Sequence, residues 1–197
     1  MNQYLQLLFN SIFVNNVVLV QFLAICSFLG VSRNVKTAMS MSGAVIFVML
    51  GASAITYPIN TFVLKPNGLS YLQTLVFILV IASLVQIVES ILKKSVPPLY
   101  KALGIYLPLI TTNCAILGIT LRNVESNYNF GLAMTNALGS GLGYLLAMFI
   151  FSSIRVRLED SEVPKTWAGL PITLVSASIV SVSFIGFRGI AENLFRF

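Results

Sequence analysis

The sequence predicts an all-α, polytopic membrane protein: six transmembrane helices in two inverted three-helix repeats, with helices 1 and 4 broken. Three observations carry that expectation. The first is composition. Hydrophobic residues make up 57% of the 197-residue chain and charged residues 9%, with a mean hydropathy of +0.90. A soluble domain carries roughly 25% charged residues, so this chain could not cover a water-facing surface. The second is the presence of six apolar segments, each near the ~20 residues that cross a bilayer. The third is an internal repeat. Phe22-Leu-Ala-Ile-Cys-Ser-Phe-Leu-Gly-Val-Ser32 and Leu107-Pro-Leu-Ile-Thr-Thr-Asn-Cys-Ala-Ile-Leu-Gly-Ile-Thr120 share the pattern Cys-x-x-Leu-Gly-(Val/Ile)-(Ser/Thr), 88 positions apart. The only two cysteines of the chain, Cys26 and Cys114, each open one copy. Spacing of about half the chain length points to a duplicated unit.

The segments fall at about 4–31, 38–59, 69–92, 102–121, 129–154 and 169–189. They form a single transmembrane domain over 1–197, with repeat one at about 1–95 and repeat two at about 96–197. Met1 to Gln21 has no basic n-region and no small-residue cleavage site, so the first segment is expected to stay in the mature protein. It is long and carries Asn15-Asn16 in its middle. The fourth carries Pro108 and the polar run Thr111-Thr112-Asn113 just before Cys114. Proline removes a backbone donor and clashes with the preceding turn, while asparagine and threonine side chains can satisfy the freed backbone groups. Both cysteine-bearing segments are therefore expected to be broken, and breaks at matching places in two halves point to a site near the bilayer midplane. The fifth segment is rich in small residues, with Ala133, Ala137 and Gly141 on one face and Gly139 and Gly143 as GxxxG. Such a stripe lets helix backbones approach closely, and packing within the chain is expected over a seam between subunits.

Charge sets the expected orientation. Net charge is +6, from 12 Lys+Arg against 6 Asp+Glu. The cations are spread singly, without the dense patch and interleaved aromatics of a nucleic-acid surface, so no nucleic-acid partner is expected. Loops 1–2, 3–4 and 5–6 hold Arg33, Lys36, Lys93, Lys94, Lys101, Arg155, Arg157 and Lys165, while the opposite side holds Lys65, Arg122, Arg188 and Arg196. Eight cations against four place the odd-numbered loops in the cytoplasm and both termini outside. Three spans per repeat is an odd number, so the second repeat enters the membrane upside down.

The chain has no histidine, which removes histidine ligation, relays and triads. The cysteines have three readings: small buried packing residues, a disulfide, which a cytoplasmic membrane interior disfavours, or metal ligands. Thiolates without histidine select Fe–S, zinc or Cu(I). Fe–S clusters are usually held by four cysteines, so two would have to come from another chain. Asn113, Thr112, Asn15 and Asn16 either donate toward such a group or cap the broken helices, and capping is the expected role of Asn15 and Asn16. Gly30 and Gly118, one turn after each cysteine, allow close approach of another backbone or of a bound group. Glu89 is the one acidic residue inside a segment, an ion-path candidate by default, against a plain i, i+4 pair with Lys93. Gln21 and Gln86 are weaker candidates of the same kind. No nucleotide or flavin motif is present, so no complete active site is expected within this chain, which leaves a transporter or one subunit of a membrane complex.

The two cysteine segments, Phe13-Val-Asn-Asn-Val-Val-Leu-Val with the Phe22–Ser32 string, and Pro98-Leu-Tyr-Lys-Ala-Leu-Gly-Ile-Tyr followed by Leu-Pro-Leu-Ile-Thr-Thr-Asn-Cys-Ala-Ile-Leu-Gly118, closely resemble the A-subunit family of the Rnf complex. That complex is an ion-translocating ferredoxin:NAD oxidoreductase of bacterial and some archaeal membranes. The likeness extends over the whole chain, including Val163-Pro164 in the last loop, and reaches the homologous E-type subunit of the Na⁺-translocating NADH:quinone reductase. Thr111-Thr112 before Asn113 resembles the Rnf member more.

The resemblance implies that Cys26 and Cys114 are ligands of a [2Fe–2S] cluster shared with a paralogous, oppositely inserted six-helix chain like the E-type subunit of Rnf. It implies further partners, the B, C, D and G subunits of Rnf, which hold the other Fe–S centres, the NAD and FMN site and covalent flavins. It also implies a bacterial cytoplasmic (inner) membrane location and electron transfer coupled to Na⁺ or H⁺ translocation. Rocking of inverted repeats would give the ion alternating access, biased by the cluster's change of charge. Two alternatives stay open: the quinone-reductase homologue, and a secondary transporter whose cysteines only pack.

Overall fold

The computed structural model describes residues 2–32, 34–66, 68, 70–95, 107–159, 164, 167 and 169–194. Among the described residues every regular element is helical. Helix α1 (Asn2–Phe9) widens into a π turn over Asn10–Val14, and after an irregular stretch α2 (Ile25–Val31) follows. Helix α3 (Val35–Ile59) ends in a second π turn, Asn60–Leu64, just after Pro58, whose missing N–H disturbs the last turn. Then come α4 (Gln73–Ser95), the short α5 (Leu107–Thr111), α6 (Cys114–Glu125), α7 (Phe130–Glu159) and α8 (Leu170–Leu194).

Both expected breaks are present, between α1 and α2 and between α5 and α6. Three helices are long and apolar enough to cross a bilayer: Val35–Leu64, Gln73–Ile91 and Phe130–Leu158. A shorter apolar helix, Leu170–Gly186, covers most of the sixth expected segment. Residues 102–106 of the fourth segment lie outside the described residues, as do Arg33, Lys101, Val163, Lys165 and Arg196 of the charge and family readings. Arg155 and Arg157, expected in the last loop, lie instead on α7, which runs five residues beyond position 154.

The most extensive helix–helix contact joins α3, in the first half of the chain, to α7 in the second. Helix α1 and its π turn lean on α7, whereas α6 leans on α3, so each broken segment packs against the long helix of the opposite half. The small residues of α7 explain how. A Cβ on Gly143 would lie 3.1 Å from the Ile12 and Ser11 carbonyls, and one on Gly139 would lie 2.9 Å from Ser11 Cβ. On the other side, a Cβ on Gly141 would lie 2.9 Å from Ile46 of α3. The glycine stripe is thus used up inside the chain. Outward faces of α4 and α8 expose Leu75, Leu79, Ile87, Ile179 and Val182. In water these would be an aggregation surface, whereas hydrocarbon or a partner helix accepts them.

Candidate functional site: two thiols at paired helix breaks

The first break is built on Asn16. This fully buried side chain accepts from the backbone N–H of Val18 (3.0 Å) and Leu19 (3.2 Å) through its carbonyl oxygen. Its amide donates to the carbonyls of Gly143 (2.8 Å) and Ile12 (3.1 Å). One residue therefore satisfies two backbone N–H groups that the interruption would leave unpaired and ties the break to the carbonyls of Ile12 and Gly143. Asn15 does less, donating only to the Asn10 side chain at 2.9 Å. The chain then turns through Phe22 (φ 55°) and Ala24 (φ 64°), left-handed conformations that cost non-glycine residues of order 1–3 kcal/mol each.

The second break is built on Asn113, whose side chain accepts from Ala115 N–H at 3.1 Å and caps α6. Cys114 follows as the first residue of that 12-residue helix. Cys26 is the second residue of α2.

The fold brings the two breaks together. The strained Ala24 donates its N–H to Cys114 Sγ at 2.8 Å, across 90 residues of chain. Leu23 presses on Gly118, where a Cβ would lie 2.7 Å from its Cδ1, and Leu109 approaches Gly30 in return. The sequence reading of the glycines as close-approach points fits Gly118, whereas a Cβ on Gly30 would meet Leu109 at an ordinary 3.8 Å. Both thiols are free, Cys114 half-buried and Cys26 exposed beside exposed Phe22 and Ile25.

Helix α7 clamps α2 from the side. Phe151 stacks on Phe28 with centroids 4.0 Å apart, Ser152 Oγ donates to Ser32 O at 3.0 Å, and Arg155 donates to Leu29 O and to Ser32 Oγ (2.7 Å). Ser181 of α8 donates to Leu19 O. A cleft of about 70 Å³, lined by Phe22, Ile25, Phe28, Leu29, Leu174 and Ala177 among others, opens on the α2–α8 side.

Sequence reasoning missed Tyr144. Its ring is fully buried on α7, and its hydroxyl approaches Ser27, the neighbour of Cys26, without making a hydrogen bond of normal geometry. The signal was available: a phenol at the centre of a small-residue span must bury its polar end somewhere. Asn113 Nδ2 is a second buried polar atom without a partner.

Among the described residues no three Cys, Asp or Glu side chains converge, so a metal bound here would draw further ligands from elsewhere. Glu89 sits half-buried on α4, one turn before exposed Lys93. A separate polar cavity of about 150 Å³ is lined by Asn60, Lys65, Asn123, Asn127 and Asn129 among others. From it a buried chain runs inward: Asn136 donates to Asn123 and accepts from Ser11, both at 2.7 Å.

Comparison with known proteins agrees with this architecture. Residues 4–191 match the model of a family described as "Rnf-Nqr subunit, membrane protein". The A subunit of the Na(+)-translocating ferredoxin:NAD(+) oxidoreductase complex of Acetobacterium woodii is 55% identical over 183 residues, 93% of this chain and 95% of that protein. The A subunits of the ion-translocating oxidoreductase complexes of Syntrophotalea carbinolica and Vibrio cholerae are 48% and 43% identical, each over 98% of this chain and 100% of the relative. With a matched model over nearly all of its length and relatives this similar from end to end, the chain belongs to the Rnf-Nqr family of membrane subunits.

Proposed function

We propose that this chain is the electron-carrying membrane subunit of an Rnf-type ion-translocating ferredoxin:NAD oxidoreductase. In this reading Cys26 and Cys114 hold one half of an intramembrane [2Fe–2S] cluster, and a paralogous chain like the E-type subunit of Rnf holds the other half. The observation that carries it is the contact between the two cysteine segments: the backbone of one is hydrogen-bonded to the sulfur of the other. The donor set fits the group. Two free thiols without histidine supply half of a four-thiolate site. Exposure of Cys26 leaves its sulfur open to a second chain, while Cys114 is held from within.

When bound, the cluster supplies a one-electron stepping stone inside about 30 Å of hydrocarbon. The chain's own residues prepare the place for it. Asn16 and Asn113 keep the broken backbone satisfied at depth, Ala24 fixes Cys114, and α7 fixes α2. The names of the relatives describe ion-translocating complexes, with Na⁺ specified for the Acetobacterium woodii protein. For this chain the proposal is electron transfer coupled to Na⁺ or H⁺ movement, alongside the B, C, D and G subunits of Rnf in a bacterial cytoplasmic membrane. In this reading the chain has six spans in inverted repeats, a plan compatible with the crossed packing of the broken segments on α3 and α7, and the loop charges favour both termini outside.

The test is low-temperature EPR with iron quantitation on the purified complex, native beside Cys114→Ser. The expected result is loss of one [2Fe–2S] signal from an otherwise assembled complex. An unchanged spectrum and iron content would leave the thiols as packing residues and favour a transporter.

A further inference from the structure

Tyr144 poses a physical problem: Ser27 lies beside its hydroxyl, yet no hydrogen bond of normal geometry joins the two. A phenol sealed from water without a hydrogen-bond partner costs about 1–3 kcal/mol, and its hydroxyl is in that condition. Phenylalanine would fill the same space between α7 and α2 without the penalty. Asn113 repeats the problem two helices away: its oxygen caps α6, but its Nδ2 donor, in a side chain only 2% exposed, has nothing to bind. Among the described residues one other buried side-chain atom is unpartnered, Ser53 Oγ on α3. A serine on a helix can rotate to the carbonyl one turn back. Neither a mid-helix phenol nor the amine side of a capping asparagine has that recourse.

The two orphans share a location. Asn113 immediately precedes Cys114, and Tyr144 lies on the α7 face that Phe151 turns toward Phe28, two residues after Cys26. Tyr144 is held there by its own helix: seven residues on, Phe151 stacks on Phe28 of α2, so the α7 face that carries both rings is turned to the cysteine segment. Both unpaired atoms are donors, and an electron-rich group at the thiol pair would be an acceptor.

We infer that the Tyr144 O–H and Asn113 Nδ2–H are hydrogen-bond donors kept for the sulfur atoms of the group that Cys26 and Cys114 bind, and that Tyr144 sets its reduction potential. The inference rests on the paired-thiol reading above. Donors aimed at sulfur stabilise the more negative, reduced state and raise the potential, and a dry site magnifies the effect. Within the partnered complex the same contact removes the penalty of the two orphans.

The experiment compares Tyr144→Phe and Asn113→Ser with the unmodified complex, purified with its partner subunits. Serine keeps the helix cap and deletes only the Nδ2 donor. Iron content and EPR amplitude report occupancy, redox titration reports the midpoint, and deuterium ENDOR after exchange into D₂O reports protons coupled to the cluster. The expected result for Tyr144→Phe is full occupancy with a lower midpoint, about tenfold in the one-electron reduction equilibrium or ~59 mV, and loss of one exchangeable coupling. Asn113→Ser shifts the midpoint in the same direction. An unmoved midpoint and an intact deuterium coupling in Tyr144→Phe would overturn the inference while leaving the ligands in place. So would an assembled Tyr144→Phe complex without a cluster, because a tuning donor does not decide occupancy. Absence of any [2Fe–2S] signal from the unmodified complex would sink the paired-thiol reading itself.

Discussion

Replacing Asn16 with alanine is expected to damage this protein more than any other single change in the first break. The magnitude follows from its four hydrogen bonds. Its two carbonyl partners, on Ile12 and Gly143, belong to helical turns and retain their other interactions, so their loss is cheap. The interhelical link to Gly143 is worth roughly 0.6 kcal/mol by the average for polar contacts between membrane helices. Val18 N–H and Leu19 N–H are different. Within the described chain Asn16 is their acceptor, both residues are buried, and each orphaned donor costs about 1–3 kcal/mol. The sum is about 3–7 kcal/mol, a large part of the ~5–15 kcal/mol that holds a typical fold together. Asn15→Ala is the matched control, because that side chain makes one exposed bond to Asn10 and is expected to cost under ~1 kcal/mol. Equilibrium unfolding in mixed micelles measures both. If the two variants lie within about 0.5 kcal/mol of each other, the first break is not held by Asn16 and the reasoning fails.

Two further substitutions probe the packing that carries the site. Gly143→Ala places a methyl group against backbone carbonyls that cannot move aside, and is expected to cost about 1–3 kcal/mol. Gly43→Ala, on α3 with nothing within 4 Å, is expected to be neutral or to stabilise by up to ~1 kcal/mol; the same unfolding assay separates them. Arg155→Met keeps the aliphatic stem but removes the donors to Leu29 O and Ser32 Oγ, at about 1.5–3 kcal/mol. Faster amide exchange confined to α2 is the expected signature, and uniform protection would show that Arg155 does not anchor that helix.

The sequence carried the fold well where length and hydropathy decide. The segments expected at 38–59, 69–92, 129–154 and 169–189 appear as α3, α4, α7 and α8 with ends shifted by a few residues. The breaks were legible because asparagine inside an apolar run has few other uses, and the small-residue stripe was rightly assigned to packing within the chain. Arg155 was misplaced for a general reason. A cation at the end of a hydrophobic run looks like a loop residue, yet a long side chain can reach the carbonyl end of a neighbouring helix from the last turns of its own. Tyr144 was passed over because one aromatic among apolar residues carries no periodic signal, and its importance lies in an unmade hydrogen bond. What no single-segment reading could supply is the register between the halves.

That register is what assembles the site from both halves of the chain. Neither half builds it alone: Cys114 takes its N–H from the first half, Leu23 of the first half fills the space above Gly118, and α7 of the second half clamps the α2 that bears Cys26. A helical pair joined by packing has discrete arrangements and not a continuum of them. Any displacement of one half against the other therefore has to break or remake the Ala24–Cys114 contact, which sits where the two broken segments cross. In a transporter with packing cysteines, that crossing would need only volume, and serine or alanine would serve in place of either thiol. In a redox site the same crossing ties sulfur geometry to the relative position of the two halves. The strained backbone at Phe22 and Ala24 is then well placed, because it delivers an N–H to sulfur that a relaxed helix would have committed to its own carbonyl.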